Sequence, residues 1–156
     1  TVEVVEAVSA APARLEELFV CYFSQDEWVR LRTSNALKRI CAAQPEWLVP
    51  YVPRLLTEVA HTEPLRSQPS AQWTLAQLLL ALDAYLTAAQ RAEGAAILLR
   101  NLRGMTDWIV LAQTPPTLAH WAAHDEKLRA ALLPELHRLA QDARPAVARA
   151  AQKAIG

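Results

Sequence analysis

The amino-acid sequence predicts an all-α protein made of consecutive helix pairs, and three observations lead to that prediction. Apolar residues recur three and four positions apart, the spacing of one helical face, in stripes such as Leu75, Leu78, Leu79 and Leu82. No stretch keeps the long alternation typical of a half-buried strand, and we interpret the brief alternation in residues 2–8 as a short opening helix. Only three of the 156 residues are glycine, and short polar or proline-containing breaks divide the chain.

These breaks predict the order of the helices. Pro45 suits the first turn of a helix, Thr87 is a candidate N-cap, and Gly104 is a candidate helix end. We predict helices over about residues 12–23, 27–43, 45–61, 70–85, 87–104, 105–123 and 125–142, and a last one from Pro145 onward.

Thr114-Pro115-Pro116-Thr117 falls inside the sixth of these helices. A proline in a helix interior removes one hydrogen bond and clashes with the preceding turn. We therefore predict that the helix restarts, with Thr114 as the N-cap and Pro115 in the first turn, and that residues 107–113 form a short separate turn of helix. The freed carbonyl groups are a candidate contact for a ligand or partner. A kink that only adjusts the curvature of the chain is the alternative.

A repeat pattern begins at Asp26 and continues with Val29-Arg30 and Ala36-Leu37. The same positions recur about every 40 residues. The equivalents of Leu37 are Leu79, Leu118 and Ile155, and the equivalent of Asp26 in the third copy is Asp107. An aspartate, then Val-Arg, then Ala-Leu resembles the HEAT consensus, and nearly the whole chain resembles the small bacterial proteins that consist of about four HEAT repeats.

This resemblance implies a right-handed α-α superhelix, a HEAT-like solenoid of about four helix pairs, in one domain spanning residues 1–156. Helix pairs in such a stack bury their apolar stripes against one another, because no pair can do so alone. Asp26 is then expected to cap the second helix of the first pair. We expect buried side chains at or beside the repeat positions Val29, Leu37, Trp73, Leu79, Val110 and Leu118. The resemblance implies a curved binding scaffold and names no activity.

Charge and hydropathy disfavour some classes of function. The chain carries 16 basic and 16 acidic residues. This balance disfavours nucleic acid as a partner, because phosphate contacts dominate the affinity of nucleic-acid binders. The longest apolar run, residues 78–82, is too short to span a bilayer, and the first residues lack the features of a signal peptide, so we expect a cytoplasmic protein. Cys21 and Cys41 lie too far apart along paired helices for a disulfide, and we expect two buried structural thiols.

Few residues suggest catalysis or metal binding. His120 and His124 are four residues apart on a predicted helix, but only Asp125 is an obvious third ligand, so we expect no metal and no cofactor. No catalytic triad, phosphate-binding loop or dinucleotide fingerprint can be assembled. The enzyme alternative is a HEAT-like DNA-repair glycosylase or another nucleic-acid-binding protein, because tryptophans and an aspartate line the basic cleft of such glycosylases and Trp108 lies beside Asp107.

We therefore predict a non-catalytic protein-interaction scaffold whose partner the sequence does not name. Trp28 and Trp108 lie at nearly equivalent turns, where a large aromatic residue either fills a gap between repeats or anchors a partner. The predicted partner-binding residues lie at these turns and at the proline break: Arg30, Arg32, Trp108, Pro115 and Pro116. Self-association through the alanine-rich last helix, which lacks an obvious polar outer cap, is a further expectation.

Overall fold

The computed structural model describes the backbone of residues 2–10 and 12–156, and the side chains of residues 2–6 and 13–156. Within these residues the chain is all-α: helices follow one another and no strand occurs. The chain divides into two compact units, Thr1–Tyr85 and Leu86–Gly156. The single domain and the right-handed superhelix remain predictions.

The first unit holds five α-helices among its described residues: α1 (Val2–Ala10), α2 (Leu15–Phe19), α3 (Glu27–Ala43), α4 (Val52–Arg54) and α5 (Pro69–Ala81). α1 is the expected opening helix. The predicted first helix is α2 extended at both ends by 3₁₀ turns, Pro12–Arg14 and Val20–Phe23. α3 packs against α5 and also contacts α1. In the predicted repeat, α3 and α5 are the second helices of the two pairs in this unit.

The predicted third helix is irregular. It consists of a 3₁₀ segment at Pro45–Tyr51, then α4, then a π-helical segment at Leu55–Val59. Pro50 and Pro53 lack the N–H groups that would continue a regular α-helix. The end of this segment is held by the fully buried Gln72, whose side-chain amide donates to the Val59 carbonyl at 3.1 Å and to the Leu65 carbonyl at 3.0 Å.

The second unit contains four α-helices in its described residues: α6 (Ala88–Gly104), α7 (Trp108–Ala122), α8 (Glu126–Leu139) and α9 (Pro145–Ile155). Consecutive helices pack on each other, and α7 also packs on α9. Thr87 and Gln90 form a reciprocal capping box at the start of α6, as the Thr87 signal predicts. In the predicted repeat, α7 and α9 are the second helices of this unit.

The prediction of a restart at Thr114 is wrong. α7 runs without a break from Trp108 to Ala122, with Pro115 and Pro116 inside it. Each proline removes one donor, but its fixed φ angle is itself helical, so the chain continues through both. Burial on one side also holds the helix together, since Val110, Thr114, Pro115, Thr117 and Leu118 are all buried.

The expected core is largely present. Leu37, Leu79, Val110 and Leu118 are fully buried, whereas Val29 and Trp73 are only half-buried. The Asp26 cap is confirmed, because an Asp26 carboxylate oxygen accepts a hydrogen bond from the Trp28 backbone N–H at 2.8 Å.

The two cysteines carry free thiols. Cys41 is buried, and burial raises its pKa to about 11, so the thiol is neutral near pH 7. Cys21 is half-buried and donates to the Glu17 carbonyl, so only Cys41 fully matches the expectation of a buried structural thiol.

Candidate interaction surface

The five predicted partner-binding residues belong to two second helices in different units. Arg30 and Arg32 lie on α3 in the first unit, and Trp108, Pro115 and Pro116 lie on α7 in the second. Arg32, Trp108 and Pro116 are exposed, and Arg30 and Pro115 are buried. Only the exposed three have surface to offer directly to a partner.

Arg30 is engaged inside the first unit. Its side chain is 7% exposed. Nε donates to the Gln68 side-chain oxygen, and Nη1 donates to the Ser24 carbonyl at 2.8 Å. The Gln68 amide in turn donates to the Glu27 carbonyl at 3.3 Å and to the Ser70 hydroxyl at 2.8 Å. Arg30 and Gln68 therefore hold the starts of α3 and α5 side by side, which positions the residues that follow on α3.

The outward side of α3 carries one continuous stripe, Trp28, Arg32, Asn35 and Arg39. These residues are four, three and four positions apart, so they lie on one face of the helix. Trp28 is 62% exposed, and Arg32 and Arg39 are also exposed. The guanidinium groups of Arg32 and Arg39 form no hydrogen bond or ion pair with any residue that the structure describes. Sequence reasoning named Arg32 but gave Arg39 and Trp28 no place in the site, although their helical spacing was the signal.

Trp108 is the first residue of α7 and is 50% exposed. Asp107, directly before it, caps the helix, because its Oδ1 accepts from the Ile109 N–H at 2.9 Å and from the Val110 N–H at 3.2 Å. Trp28 is the second residue of α3 and follows the Asp26 cap by two positions. Both tryptophans thus follow an aspartate cap and keep half or more of their surface in solvent.

The proline pair contributes one exposed residue and one buried residue. Pro116 lies on the outer side of α7, and Pro115 on the buried side. The hydroxyl of Thr114, which was the expected cap, is buried and has no hydrogen-bond partner among the described residues. Since the helix is continuous, any binding role at this place rests on the surface around Pro116.

The first helices of the first unit are joined by a cluster around Arg54 that sequence reasoning missed. The guanidinium carbon lies 4.7 Å from the ring centre of Phe19 and 5.7 Å from that of Phe23. Its nitrogens pair with Glu58 at 2.8 Å and with Glu16 at 3.0 Å. These contacts, between residues up to 38 positions apart, link the segment around α2 to the segment around α4.

The contacts among Tyr51, Glu16 and Arg54 shift the pKa values of Tyr51 and Glu16. Burial, together with the hydrogen bond to Glu16, raises the pKa of Tyr51 to about 12. The hydrogen bonds from Tyr51 and Arg54 lower the pKa of Glu16. Both groups therefore keep their ordinary charge states near pH 7, and the cluster acts as a structural link.

The last helix has a polar outer side. Val147 and Ala151 are buried, and the exposed positions toward its end include Arg149, Gln152 and Lys153. The exposed face of α9 thus carries polar and charged side chains among its alanines. Self-association through α9 remains a prediction.

The histidines considered as metal ligands lie at the surface. His120 and His124 are exposed at the end of α7 and just after it. In the described part of the chain, no three His, Cys, Asp or Glu side chains are grouped in a way that would hold a metal ion. None of the described helices has both the length and the apolar character needed to cross a membrane.

Comparison of the chain with known protein families, with curated proteins and with solved structures gives no match in any of the three. The likeness to HEAT proteins therefore rests on the repeat positions of the chain itself.

Proposed function

We propose that the chain is a non-catalytic interaction scaffold of the HEAT-repeat type, whose second helices present their outer faces to a protein partner. The carrying observation is the exposure of Trp28 and Trp108 in the first turn after the aspartate caps of α3 and α7. Large aromatic residues contribute much of the binding energy in protein interfaces when a partner buries them. The exposed half of each tryptophan side chain does not pack in the core. Contact with a partner would give this exposed apolar surface a role.

The repeat geometry supports the HEAT part of this proposal. Asp26 and Asp107, equivalent in the repeat, both cap second helices. α3 packs on α5 within the first unit, and α7 packs on α9 within the second, as second helices of neighbouring repeats do in an α-solenoid. A right-handed superhelix of four such pairs is the arrangement that we propose for the whole chain.

The glycosylase alternative gains no support from the geometry. Asp107 is engaged as a helix cap through two backbone hydrogen bonds. α5 and α7 contain no lysine or arginine, so no basic track for a phosphate backbone runs through these two helices.

Site-specific photocrosslinking in the cells that naturally make the protein tests the proposal. A photoreactive phenylalanine analogue replaces Trp28 or Trp108, and the control position is Ala130, an exposed residue of α8. We expect discrete crosslinks to a protein at position 28 or 108 and none at position 130. Equal labelling at all three positions, or crosslinks to nucleic acid alone, would overturn the proposal.

A further inference from the structure

We propose that the outer face of α3 binds an acidic segment of a protein partner. This α3 face consists of Trp28, Arg32, Asn35 and Arg39, with Lys38 at its side. The inference rests on the proposed function and names the chemistry of the partner that this face would take.

The α3 face is continuous and straight. At 3.6 residues per turn, its four members fall within roughly 60° of each other around the helix axis. Arg32 and Arg39 are separated by two turns, or roughly 10 Å along the axis. α3 spans Glu27–Ala43 without a proline or glycine, so this spacing is held by regular backbone hydrogen bonds.

The charge of the face is unbalanced. Some arginines elsewhere are paired within the protein, such as Arg54 with Glu16 and Glu58, and Arg144 with Asp142. Arg32 and Arg39, in contrast, have no carboxylate partner among the described residues. The one acidic residue of α3 is Glu27, at its first position. Two guanidinium groups on one face therefore favour a partner with carboxylates, which they can bind in bidentate fashion.

Trp28 adds an apolar anchor at one end of this basic row. Its exposed fraction, 62%, is the highest among the large apolar residues that the structure describes. An aromatic ring next to arginines is the composition enriched in the energetic centres of protein interfaces. A segment with an apolar side chain about one turn before its first carboxylate matches the order Trp28, Arg32, Arg39.

The width of the basic surface favours a peptide over a nucleic acid. α5, which packs beside α3, contains no charged residue at all, and its partly exposed residues include Trp73, Gln77 and Leu80. The positive charge is thus one helix wide and two turns long. A nucleic-acid site needs several phosphate contacts in succession, and this face provides few. An acidic helix with carboxylates seven residues apart fits its length.

A synthetic helical peptide serves as the probe. It carries two glutamates seven residues apart and a leucine one turn before the first. The control peptide has glutamine at both glutamate positions. The full chain, labelled with ¹⁵N, is titrated with each peptide while the tryptophan indole N–H signals are followed, and a fluorescent form of the peptide gives the affinity by polarisation.

We expect the acidic peptide to shift the Trp28 indole signal and the glutamine peptide to leave it unmoved. Arg32→Gln and Arg39→Gln should each weaken binding about threefold. Trp28→Ala should weaken it about tenfold. Arg129→Gln, which removes an exposed charge from α8, is the matched control and should leave the affinity unchanged. Urea unfolding of each variant shows whether the fold is intact.

Three outcomes would overturn the inference. One is the absence of any Trp28 shift at about 1 mM acidic peptide, the concentration at which binding of about 4 kcal/mol is half complete. Another is equal weakening by Arg129→Gln, which would indicate attraction to charge anywhere on the chain. The third is tighter binding of a thymidine oligonucleotide of the same charge than of the acidic peptide.

The two proposals can fail separately. If the peptide does not bind while position 28 or 108 crosslinks to a protein, the scaffold proposal stands and only the acidic partner is ruled out. If the peptide binds at Trp28 and neither position crosslinks, the binding chemistry stands and the scaffold proposal falls.

Discussion

Aspartate side chains fix the starts of three helices at the scale of single residues. Asp26, Asp107 and Asp125 each accept hydrogen bonds from backbone N–H groups in the first turn of α3, α7 and α8. These N–H groups have no acceptor within the helix, and the carboxylate at the cap supplies one. Its negative charge also interacts favourably with the positive end of the helix dipole. The caps of α3 and α7 determine where these two helices begin, and hence where Trp28 and Trp108 lie.

Asp26→Ala should lower the free energy of unfolding by about 1 kcal/mol, because it leaves the Trp28 N–H without its acceptor. Asp26→Asn, which keeps a side-chain oxygen, is the control and should cost much less. Urea denaturation of the three proteins measures the difference. Equal losses for alanine and asparagine would mean that the hydrogen bond is not the source of the stability.

The interaction of Asp142 with Arg144 should make the stability of the fold depend on pH. Hydrogen bonds from the side chain and the backbone N–H of Arg144 lower the pKa of Asp142 to about 2, below its ordinary 3.8. A lowered pKa in the folded state means that this pair stabilises the fold above about pH 4 and that the contribution is lost as the pH falls toward about 2.

Asp142→Asn should therefore lower the melting temperature at pH 7, and the gap to the unchanged protein should close between about pH 4 and pH 2. Thermal unfolding followed by circular dichroism at a series of pH values checks this. A gap that stays constant down to pH 2 would contradict the proposed role of the Asp142 carboxylate.

The proline pair of α7 is the clearest feature at the scale of elements. Pro116 is exposed, so its ring contributes little to the core, yet it removes the N–H that would bond to the Ala112 carbonyl four residues before. Pro115 likewise lacks the N–H that would bond to the Leu111 carbonyl, but its ring is buried. The helix tolerates both because its buried face packs against α6, α8 and α9.

Pro116→Ala should stabilise the protein by about 1 kcal/mol or more, since alanine restores the N–H and removes the clash inside a continuous helix. Pro145→Ala is the matched control: Pro145 is the first residue of α9, where proline is favourable, so the change should be neutral or slightly destabilising. Urea unfolding gives both values. A loss of stability in Pro116→Ala would mean that α7 does restart at the prolines.

The whole molecule shows which features follow from local sequence and which do not. The order of the helices, the Thr87 and Asp26 caps and the buried Leu79 were predictable, because each depends on spacing or on neighbouring residues. The continuity of α7 was not, because the local rule for proline competes with burial that only the folded chain reveals. Arg30 was misplaced on the surface for a similar reason, since its partner Gln68 lies 38 residues away.

The candidate site was predictable only in part, again because of long-range packing. Arg32 and Trp108 were identified from their positions beside the turns, and both are exposed. Trp28 looked equally suited to filling a gap between repeats, and only the fold leaves it in solvent. Periodicity alone places Arg39 on the same face as Arg32, but it does not show whether a carboxylate from another helix lies opposite.

One measurement tests the central claim, that these exposed residues serve binding and not architecture. Trp28→Ala, Trp108→Ala, Arg32→Gln and Pro116→Ala are each compared with the unchanged protein in urea unfolding and in recovery of a co-purifying protein from the cells of origin. We predict that the tryptophan and arginine variants unfold within about 0.5 kcal/mol of the unchanged protein and that at least one tryptophan variant loses the partner. If every variant that loses the partner is also destabilised by about 2 kcal/mol or more, these side chains are part of the packing and the scaffold proposal fails.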